Sequence, residues 1–147
     1  MNISMEFFVA RSPDQIALCK KVLLDFRFNL NHKTYVELIL NMINEEGFKL
    51  VYILNENHTR AIAFIGYRFM QMLRTGSIIY IDDLYTDPQH RGKGYAGALL
   101  EYANKDALKK NIQSIHLDSG YMLHNAHRLY LNNGYVLSCN HFAKEVR

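Results

Sequence analysis

Tyr80-Ile81-Asp82-Asp83-Leu84-Tyr85-Thr86-Asp87-Pro88-Gln89-His90-Arg91-Gly92-Lys93-Gly94-Tyr95-Ala96-Gly97-Ala98-Leu99-Leu100 reads as a strand, a short basic loop with two close glycines, and the start of a helix. A strand-to-helix bend of this kind presents unpaired backbone N–H groups at the positive end of a helix dipole. Those are the parts of a pyrophosphate site. Glycine at 92 and 94 lets phosphate oxygens approach the main chain, because no side chain stands in the way. Arg91 and Lys93 add positive charge. Fold and function therefore turn on which phosphate-bearing ligand suits this bend.

Upstream, the strand reaches back to Ser77, and Leu73–Gly76 turns the chain before it. Arg60–Met70 reads as a long apolar strand in which Gly66 marks a bulge or a close approach. Lys49–Leu54 precedes it across a hairpin turn at Asn55–His58. Val36, Ile39, Leu40 and Ile43 form one stripe of a helix beginning near Thr34, and Gly47 is its natural stop. Ser12-Pro13-Asp14-Gln15 is a helix start: a capping hydroxyl, a proline at the first position and a glutamine completing the box. Ser4–Ala10 reads as a first strand.

Downstream, Ala96, Leu99, Leu100, Ala103 and Ala107 share one helical face, with charged residues on the others. Ser114–Leu117 is a short strand, Asn125–Asn132 a short helix closed by Gly134, and Tyr135–Phe142 a final strand. The order β-α-α-β-β-β-α-β-α-β places antiparallel hairpins in the middle and crossover helices late. It predicts an α+β domain with a mixed sheet. With no linker, repeat or low-complexity tract, residues 1–147 read as a single domain.

Composition narrows the classes. At 49% hydrophobic and 21% charged residues, the chain reads as a soluble globular protein. A net charge of +3 suits an anionic small ligand, and without a clustered basic face it makes no case for nucleic acid. Glu6 and Arg11 around a short apolar run do not read as a signal peptide, and no apolar run approaches the roughly 20 residues of a membrane span. A cytoplasmic protein is expected. Cys19 and Cys139 lack metal-ligand spacing and read as two buried free thiols in preference to a disulfide. Seven histidines form no H-E-x-x-H pattern, so no metal is expected.

Three phosphate ligands compete for the bend. A Walker loop fails, because no glycine stands at the required spacing before Gly92-Lys93, and Gly94 follows where serine or threonine is needed. The dinucleotide fingerprint fits better on paper. Gly92-Lys93-Gly94-Tyr95-Ala96-Gly97 matches G-x-G-x-x-G, and Asp118 ends a later strand where a ribose-binding acid belongs. Two features oppose it. Asp87–Arg91 separates the strand from the first glycine, and too little chain follows to build a doubly wound sheet.

The third ligand is acyl-coenzyme A. Gln89-His90-Arg91-Gly92-Lys93-Gly94 resembles the Q/R-x-x-G-x-G/A signature of the GNAT superfamily of N-acetyltransferases. Thr86-Asp87-Pro88 stands where that family often has Val-x-Pro. Asn125-Ala126-His127-Arg128-Leu129-Tyr130-Leu131-Asn132-Asn133-Gly134-Tyr135 resembles the family's second motif, N-A-x-x-x-Y-x-x-x-G-F/Y. The likeness covers Ile78–Tyr135 well, and Met1–Gln71 only by element order.

The resemblance implies a mostly antiparallel central sheet flanked by helices, with a splayed strand pair holding acetyl-CoA. It implies that Gln89, His90, Arg91, Gly92, Lys93 and Gly94, with Tyr95 and Ala96 of the first helical turn, bind the pyrophosphate. Leu84 and Thr86 would pair their backbone with the pantetheine arm, as a peptide pairs with a sheet edge. Asn125 would touch the pantetheine or the phosphates, and Tyr130 holds the position of the general acid. A homodimer is compatible with the family, although no segment marks an interface.

The expected chemistry is direct attack of a primary amine, on a small molecule or a peptide, at the thioester carbonyl. A thiol has a pKa of about 8.5 and a phenol of about 10, so Tyr130 is protonated at neutral pH and can protonate the leaving sulfur. The N–H of Leu84 or Tyr85 is the candidate oxyanion donor. For the base, Asp82 and Asp83 lie on the strand that leads to the ligand, and two close carboxylates raise one pKa. Adjacent strand residues face opposite sides, so one of the two points into the cleft unless a bulge intervenes. Asp118, His116 and His124 are further candidates near strand ends.

Each reading has a plainer counterpart. Tyr130 could be a core tyrosine, the aspartates a salt-bridged and a solvated carboxylate, and the histidines structural. Phe26, Phe28 and Tyr35 flank the expected acceptor loop but also suit a core. A catalytically silent acyl-CoA-binding module is the alternative from another class.

Overall fold

A long antiparallel hairpin forms the centre of the computed structural model, which describes residues 5–147. Its arms are β3 (Ala61–Met72) and β4 (Gly76–Thr86). β2 (Phe48–Leu54) pairs antiparallel with β3, and β1 (Phe8–Val9) pairs antiparallel with β2. β5 (Ser114–Leu117) pairs with β4 in parallel, giving a five-stranded sheet in the order β1-β2-β3-β4-β5. The α+β architecture with a mixed sheet expected from the element order, and the mostly antiparallel pairing that the resemblance implies, are the ones observed.

Helices cover both faces. α1 (Pro13–Leu18), α2 (Lys20–Phe26) and α3 (Tyr35–Glu45) lie on one face, where Ile16, Val22, Ile39, Leu50, Tyr52 and Phe64 are buried together. α4 (Tyr95–Lys109), the crossover from β4 to β5, lies on the other, over Val51, Ile65, Tyr67, Ile79 and Ile81. In β2 the even positions Phe48, Leu50, Tyr52 and Leu54 face the first core and Val51 and Ile53 the second, as a period of two requires, while in β3 and β4 the parity changes at irregular pairings. α5 (His124–Asn132) joins the second core through Leu129 and Tyr130. Asp106 fastens α4 to the sheet by accepting from the Tyr67 hydroxyl at 2.7 Å and the Lys49 ammonium at 2.8 Å. None of these helices is long and apolar enough to cross a membrane.

The α1 start forms as its residues predict. Ser12 Oγ accepts from the Gln15 amide at 3.3 Å, and Pro13 opens the helix. The Gln15 side chain reaches one residue further back than a regular box, accepting from the Arg11 amide at 2.7 Å. The single helix expected after Ser12 is broken at Cys19 into α1 and α2, because the Cys19 amide bonds to Ile16 three residues back. The expected first strand shortens to Phe8–Val9, and its Ser4 end lies outside the described residues.

Two expectations fail. Tyr135–Phe142 is not a strand, since no neighbour pairs with it. Cys139, on that segment, is exposed, whereas Cys19 is buried and its thiol is pushed up by burial.

The sheet departs from regular pairing at two places, at Ile62 of β3 opposite the step from Ile53 to Leu54, and at Gly66. Gly66 opposes Asp83 and the next residue, Tyr67, opposes Ile81, so Asp82 is an extra residue in β4. A side chain at 66 has no room: its Cβ would lie 2.5 Å from Cζ of the buried Phe48 ring. Gly66→Ala should therefore lower unfolding stability by about 1–3 kcal/mol through overpacking. Denaturant melts should show part of this recovered by Phe48→Leu in the same chain. An unshifted midpoint for Gly66→Ala would remove the close approach as a constraint.

β4 ends on a buried carboxylate. Asp87 is almost fully enclosed, with Arg60 Nη1 at 3.0 Å, Lys21 Nζ at 3.8 Å and the His90 imidazole at 3.5 Å. Its Oδ1 accepts from the Gln89 amide at 3.3 Å, capping the 3-10 turn Pro88–His90 that leads into the glycine loop. Burial acts to raise the Asp87 carboxyl, but the Gln89 amide, Arg60 and Lys21 outweigh it and hold the carboxyl below the usual range. Its contribution is present above the unfolded carboxylate pKa of about 3.9 and is lost as pH falls through the lower folded value. Asp87→Ala should cost about 1.5–3 kcal/mol near neutrality. Melts across the acid range should show the variant converging on the parent chain as pH falls, and a constant difference would contradict this account.

Candidate functional site

The glycine loop is held open by its own backbone. Gly92 and Gly94 have φ of +77° and +85°, in the left-handed region, and nothing lies within 4 Å of where a Cβ would stand on either. Gly94 is the residue before α4, and no side chain caps this helix. The first bond of the helix is Ala98 N–H to Gly94 O at 3.0 Å. Among the described residues, the amides of Gly92, Lys93, Gly94, Tyr95, Ala96 and Gly97 donate to no group of the chain. Six consecutive free donors at the positive end of a 15-residue helix form an anion cradle. Thr86 Oγ1 is buried beside this loop without a partner, a second polar group awaiting one.

The cations around the cradle differ in what they do. Lys93 is exposed on the loop. Arg91 is tied back: its Nε donates to Thr86 O at 3.1 Å and its guanidinium sits 5.5 Å from the centre of the Tyr85 ring. Arg91 therefore fastens the loop to the end of β4, a role its place in the motif did not reveal. Gln89 is exposed and His90 turns toward Asp87.

Beside the cradle, the sheet opens. The β4–β5 register runs from Ile78 opposite Ser114 to Ile81 opposite Leu117 and stops there. β4 continues for five more residues, Asp82–Thr86, with β3 on one side and no strand on the other. Past the bulge, Leu84 packs into the α4 core while Tyr85 turns to the α1–α3 core and stacks on Phe26 with ring centres 5.0 Å apart. The gap thus joins the two faces of the sheet, and the strand edge carrying Leu84, Tyr85 and Thr86 lines it.

The bulge also decides the two aspartates. Asp82 precedes the shift and Asp83 follows it, so both carboxylates reach arginines on the α1–α3 side. Asp82 accepts from Arg68 Nε at 3.1 Å to each oxygen, and Arg68 reaches on to Glu46 at 3.1 Å. Asp83 accepts from Arg27 Nε at 2.7 Å, while Arg27 Nη2 donates to Asp82 O at 2.9 Å. Burial pushes the Asp83 carboxyl up, with the Arg27 guanidinium working against it. A hollow of about 400 Å³ beside Asp82 is lined by Arg68, Met70 and Tyr80. Neither arginine partner was identified from sequence, since each is 14 or more residues away along the chain.

Tyr130 lies on the opposite side, packed into the α4 core against Tyr135 with ring centres 5.9 Å apart. Burial raises its phenol above the ordinary value. Asn125 stands exposed in the first turn of α5. The remaining candidates have local partners. His116 bonds Ser114 Oγ at 3.0 Å, Asp118 accepts from the Tyr80 hydroxyl, and His124 packs edge-on to His127. Of the aromatic residues near the expected acceptor loop, Tyr35 is core, Phe26 packs on Phe64 and Tyr85, and Phe28 is exposed. A larger concavity of about 520 Å³, between α1, α2 and the β2–β3 turn, shares no residue with the cradle, the gap or α5. No group of three or more potential metal ligands occurs among the described residues.

Comparison with known proteins agrees with this fold. An uncharacterized N-acetyltransferase, YhdJ, of Bacillus subtilis (strain 168) is 29% identical over 136 residues, covering 92% of this chain and 94% of its own. Among solved structures, an aminoglycoside acetyltransferase, HMB0005, from an uncultured soil metagenomic sample superposes with a TM-score of 0.78 at 22% identity, over 99% of this chain and 100% of its own. A predicted acetyltransferase from Clostridium acetobutylicum, crystallised with acetyl-CoA, gives 0.73 at 20% identity, over 97% and 96% of the two chains. The sequence pattern of the Acetyltransferase (GNAT) family matches residues 16–135, and the chain belongs to that family.

Proposed function

We propose that this protein is an acetyl-CoA-dependent N-acetyltransferase acting on a primary amine by direct attack in a ternary complex. The observation that carries the reading is the run of six unpartnered amides, Gly92 to Gly97, at the open start of α4. Within a family of acetyltransferases, that cradle suits the diphosphate of coenzyme A. The free edge of β4 suits the amide-bearing pantetheine arm, with the Leu84 N–H as donor to the arm or to the oxyanion, whereas the Tyr85 N–H, like that of Asp87 two residues on, is turned to β3. Thr86 contributes its amide and its unpartnered hydroxyl, because its carbonyl already accepts from Arg91. Asn125, at the start of α5, faces the arm or its phosphates.

Tyr130 is assigned as general acid. Its burial-raised pKa keeps the phenol protonated across the neutral range, as protonation of a departing thiolate requires. Asp83 is assigned as the group that takes the amine proton in preference to Asp82. Burial lifts Asp83 toward a working base, whereas Asp82 is gripped bidentately by Arg68. The gap lets these two act on one acyl group from opposite faces of the sheet. The acceptor enters from the α1–α3 side, and its class is a small-molecule or peptide amine. A solved neighbour named as an aminoglycoside acetyltransferase is consistent with a small polyamine-like acceptor. The setting proposed is cytoplasmic.

One observation favours a second reading, an acyl-CoA-binding module without turnover: both aspartates are neutralised by arginines in this structure. Purified protein with acetyl-CoA and a panel of amines separates the two. The enzyme releases free thiol with at least one amine, and saturable binding with no release on any amine would favour the module.

Two substitutions test the assignments. Tyr130→Phe should lower kcat by about 10²-fold or more while leaving acetyl-CoA affinity nearly unchanged in calorimetry. An unchanged rate would take Tyr130 out of the chemistry. Gly92→Glu adds a carboxylate and a Cβ at a positive-φ position facing the cradle, and should abolish coenzyme binding. Retained affinity would place the coenzyme elsewhere.

A further inference from the structure

The two arginine–aspartate pairs at the bulge are built differently. Arg68 holds Asp82 with Nε at 3.1 Å from both oxygens and reaches Glu46 with Nη1, so its guanidinium is fastened on two sides. Arg27 holds Asp83 by one bond, Nε to Oδ1 at 2.7 Å, and among the described residues no other side chain accepts from it. Arg27 caps the C-terminus of α2, and its side chain is 44% exposed against 22% for Arg68. The centre of the Phe26 ring lies 4.2 Å from its Cζ, a resting face that does not depend on the aspartate.

The Asp83 carboxylate has one oxygen turned outward. Oδ2 faces the sheet, 3.1 Å from where a Cβ on Gly66 would stand. Oδ1 is the other, and Arg27 covers it. Arg27 Nη2 also donates, at 2.9 Å, to the main-chain carbonyl of Asp82, the extra residue of the bulge. The fork thus bridges two oxygens, one charged and one main-chain, that lie within reach of a single planar cation. An alkylammonium carries three donors on one nitrogen and can serve the same pair. A base must touch the proton it takes, and that contact is where Arg27 Nε sits.

We propose that the Arg27 guanidinium occupies the seat of the acceptor's ammonium, between Asp83 Oδ1 and Asp82 O, and that a primary alkylamine reaches the base only by displacing it. The proposal rests on the acetyl-transfer reading and narrows its acceptor: a primary ammonium replaces both of the displaced bonds, and a quaternary one replaces neither. The exchange also times the proton. Burial lifts the Asp83 carboxyl and Arg27 is the main influence against it, while Asp82 adds to the lift and Arg68 to the opposition. Once Arg27 has swung clear, Asp83 takes one proton from the ammonium. The freed lone pair forms the C–N bond, the C–S bond breaks, and Tyr130 protonates the sulfur. The amine's second proton, released as the amide forms, makes good the one Tyr130 gave. When the neutral amide leaves, Arg27 returns and the Asp83 proton passes to water. Arg27 is thus a positioning residue, and the arginine-covered base is the resting form of an enzyme.

Titration of Asp83 tests this without turnover. In protein carrying isotope-labelled aspartate, carboxyl NMR follows Asp83, and Asp83→Asn assigns its signal. Arg27→Gln should move the midpoint to higher pH, because the neighbouring cation is gone, and Arg27→Lys should hold it near the parent's. Butylammonium should draw the midpoint back down in Arg27→Gln at roughly a tenth of the concentration the parent needs, since no side chain competes for the seat. Tetramethylammonium, with the charge but no N–H, should do far less. For an amine that turns over, KM measured above the variant's Asp83 midpoint should fall about threefold or more in Arg27→Gln, without a matching fall in kcat. The acid limb of kcat/KM should move to higher pH in the same variant and return in Arg27→Lys. An Asp83 midpoint indifferent to Arg27→Gln, equal butylammonium affinity in parent and variant, or equal action of tetramethylammonium would each overturn the proposal. Failure of every amine to release thiol would instead count against acetyl transfer, and the titrations would still decide what Arg27 covers.

Discussion

The parting of β4 from β5 after a shared run of four residues is the constraint on which the rest of the structure depends. A parallel pair joined through a crossover helix must bring its partners together at one end, but nothing requires it to hold them together at the other. β4 is eleven residues long and β5 is four, so the excess of β4 becomes an edge inside the molecule. Edges of this kind are usually covered or blunted. Here the edge leads along the chain, through the turn Pro88–His90, into the glycine loop whose amides are free.

The bulge at Asp82 decides which way the two acids of β4 face. Regular alternation would send Asp82 and Asp83 to opposite faces. One extra residue brings both carboxylates to the α1–α3 side and leaves Leu84 on the α4 side. The bulge lies opposite Gly66, the one residue type that lets the Phe48 ring fill the space against β3. Arg27 and Arg68 then neutralise a pair of acids that would repel one another unpaired. Asp87 does the converse at the end of the strand. A single buried carboxylate gathers Lys21, Arg60 and His90 and ties α2, β3 and the loop to one point. The cradle can therefore stay empty of side chains without collapsing, since its footing lies outside it.

Tyr130 and Asp83 show how little a linear motif says about geometry. They lie on opposite faces of the sheet, a separation that no spacing along the chain announces. The C-terminal segment carries the same lesson in another form. Its residues have strand character, but a strand is a relation between two stretches of backbone, and no backbone group of residues 136–147 bonds to another.

The glycine loop, the helix it opens and the order of strands and helices as far as α5, apart from the break at Cys19, followed from local chemistry. Positive-φ glycines, a proline-led capping box and period-two apolar runs act over a few residues, so they are readable without the fold. The likeness of residues 89–94 and 125–135 to a family pattern came from the same local source, and the family match over residues 16–135 agrees with it. Gly66 was recognisable as a bulge or close approach, but not which of the two, and it proved to be both. The partners of the charged groups could not be read in advance. Arg27 meets Asp83 across 56 residues, and Arg60 meets Asp87 across a strand. Arg91 turns inward to Thr86 rather than out to a ligand. These pairings depend on register, on the one-residue shift in β4 and on where β5 stops. Such long-range quantities are set by how the layers pack, so only the tertiary structure could decide them.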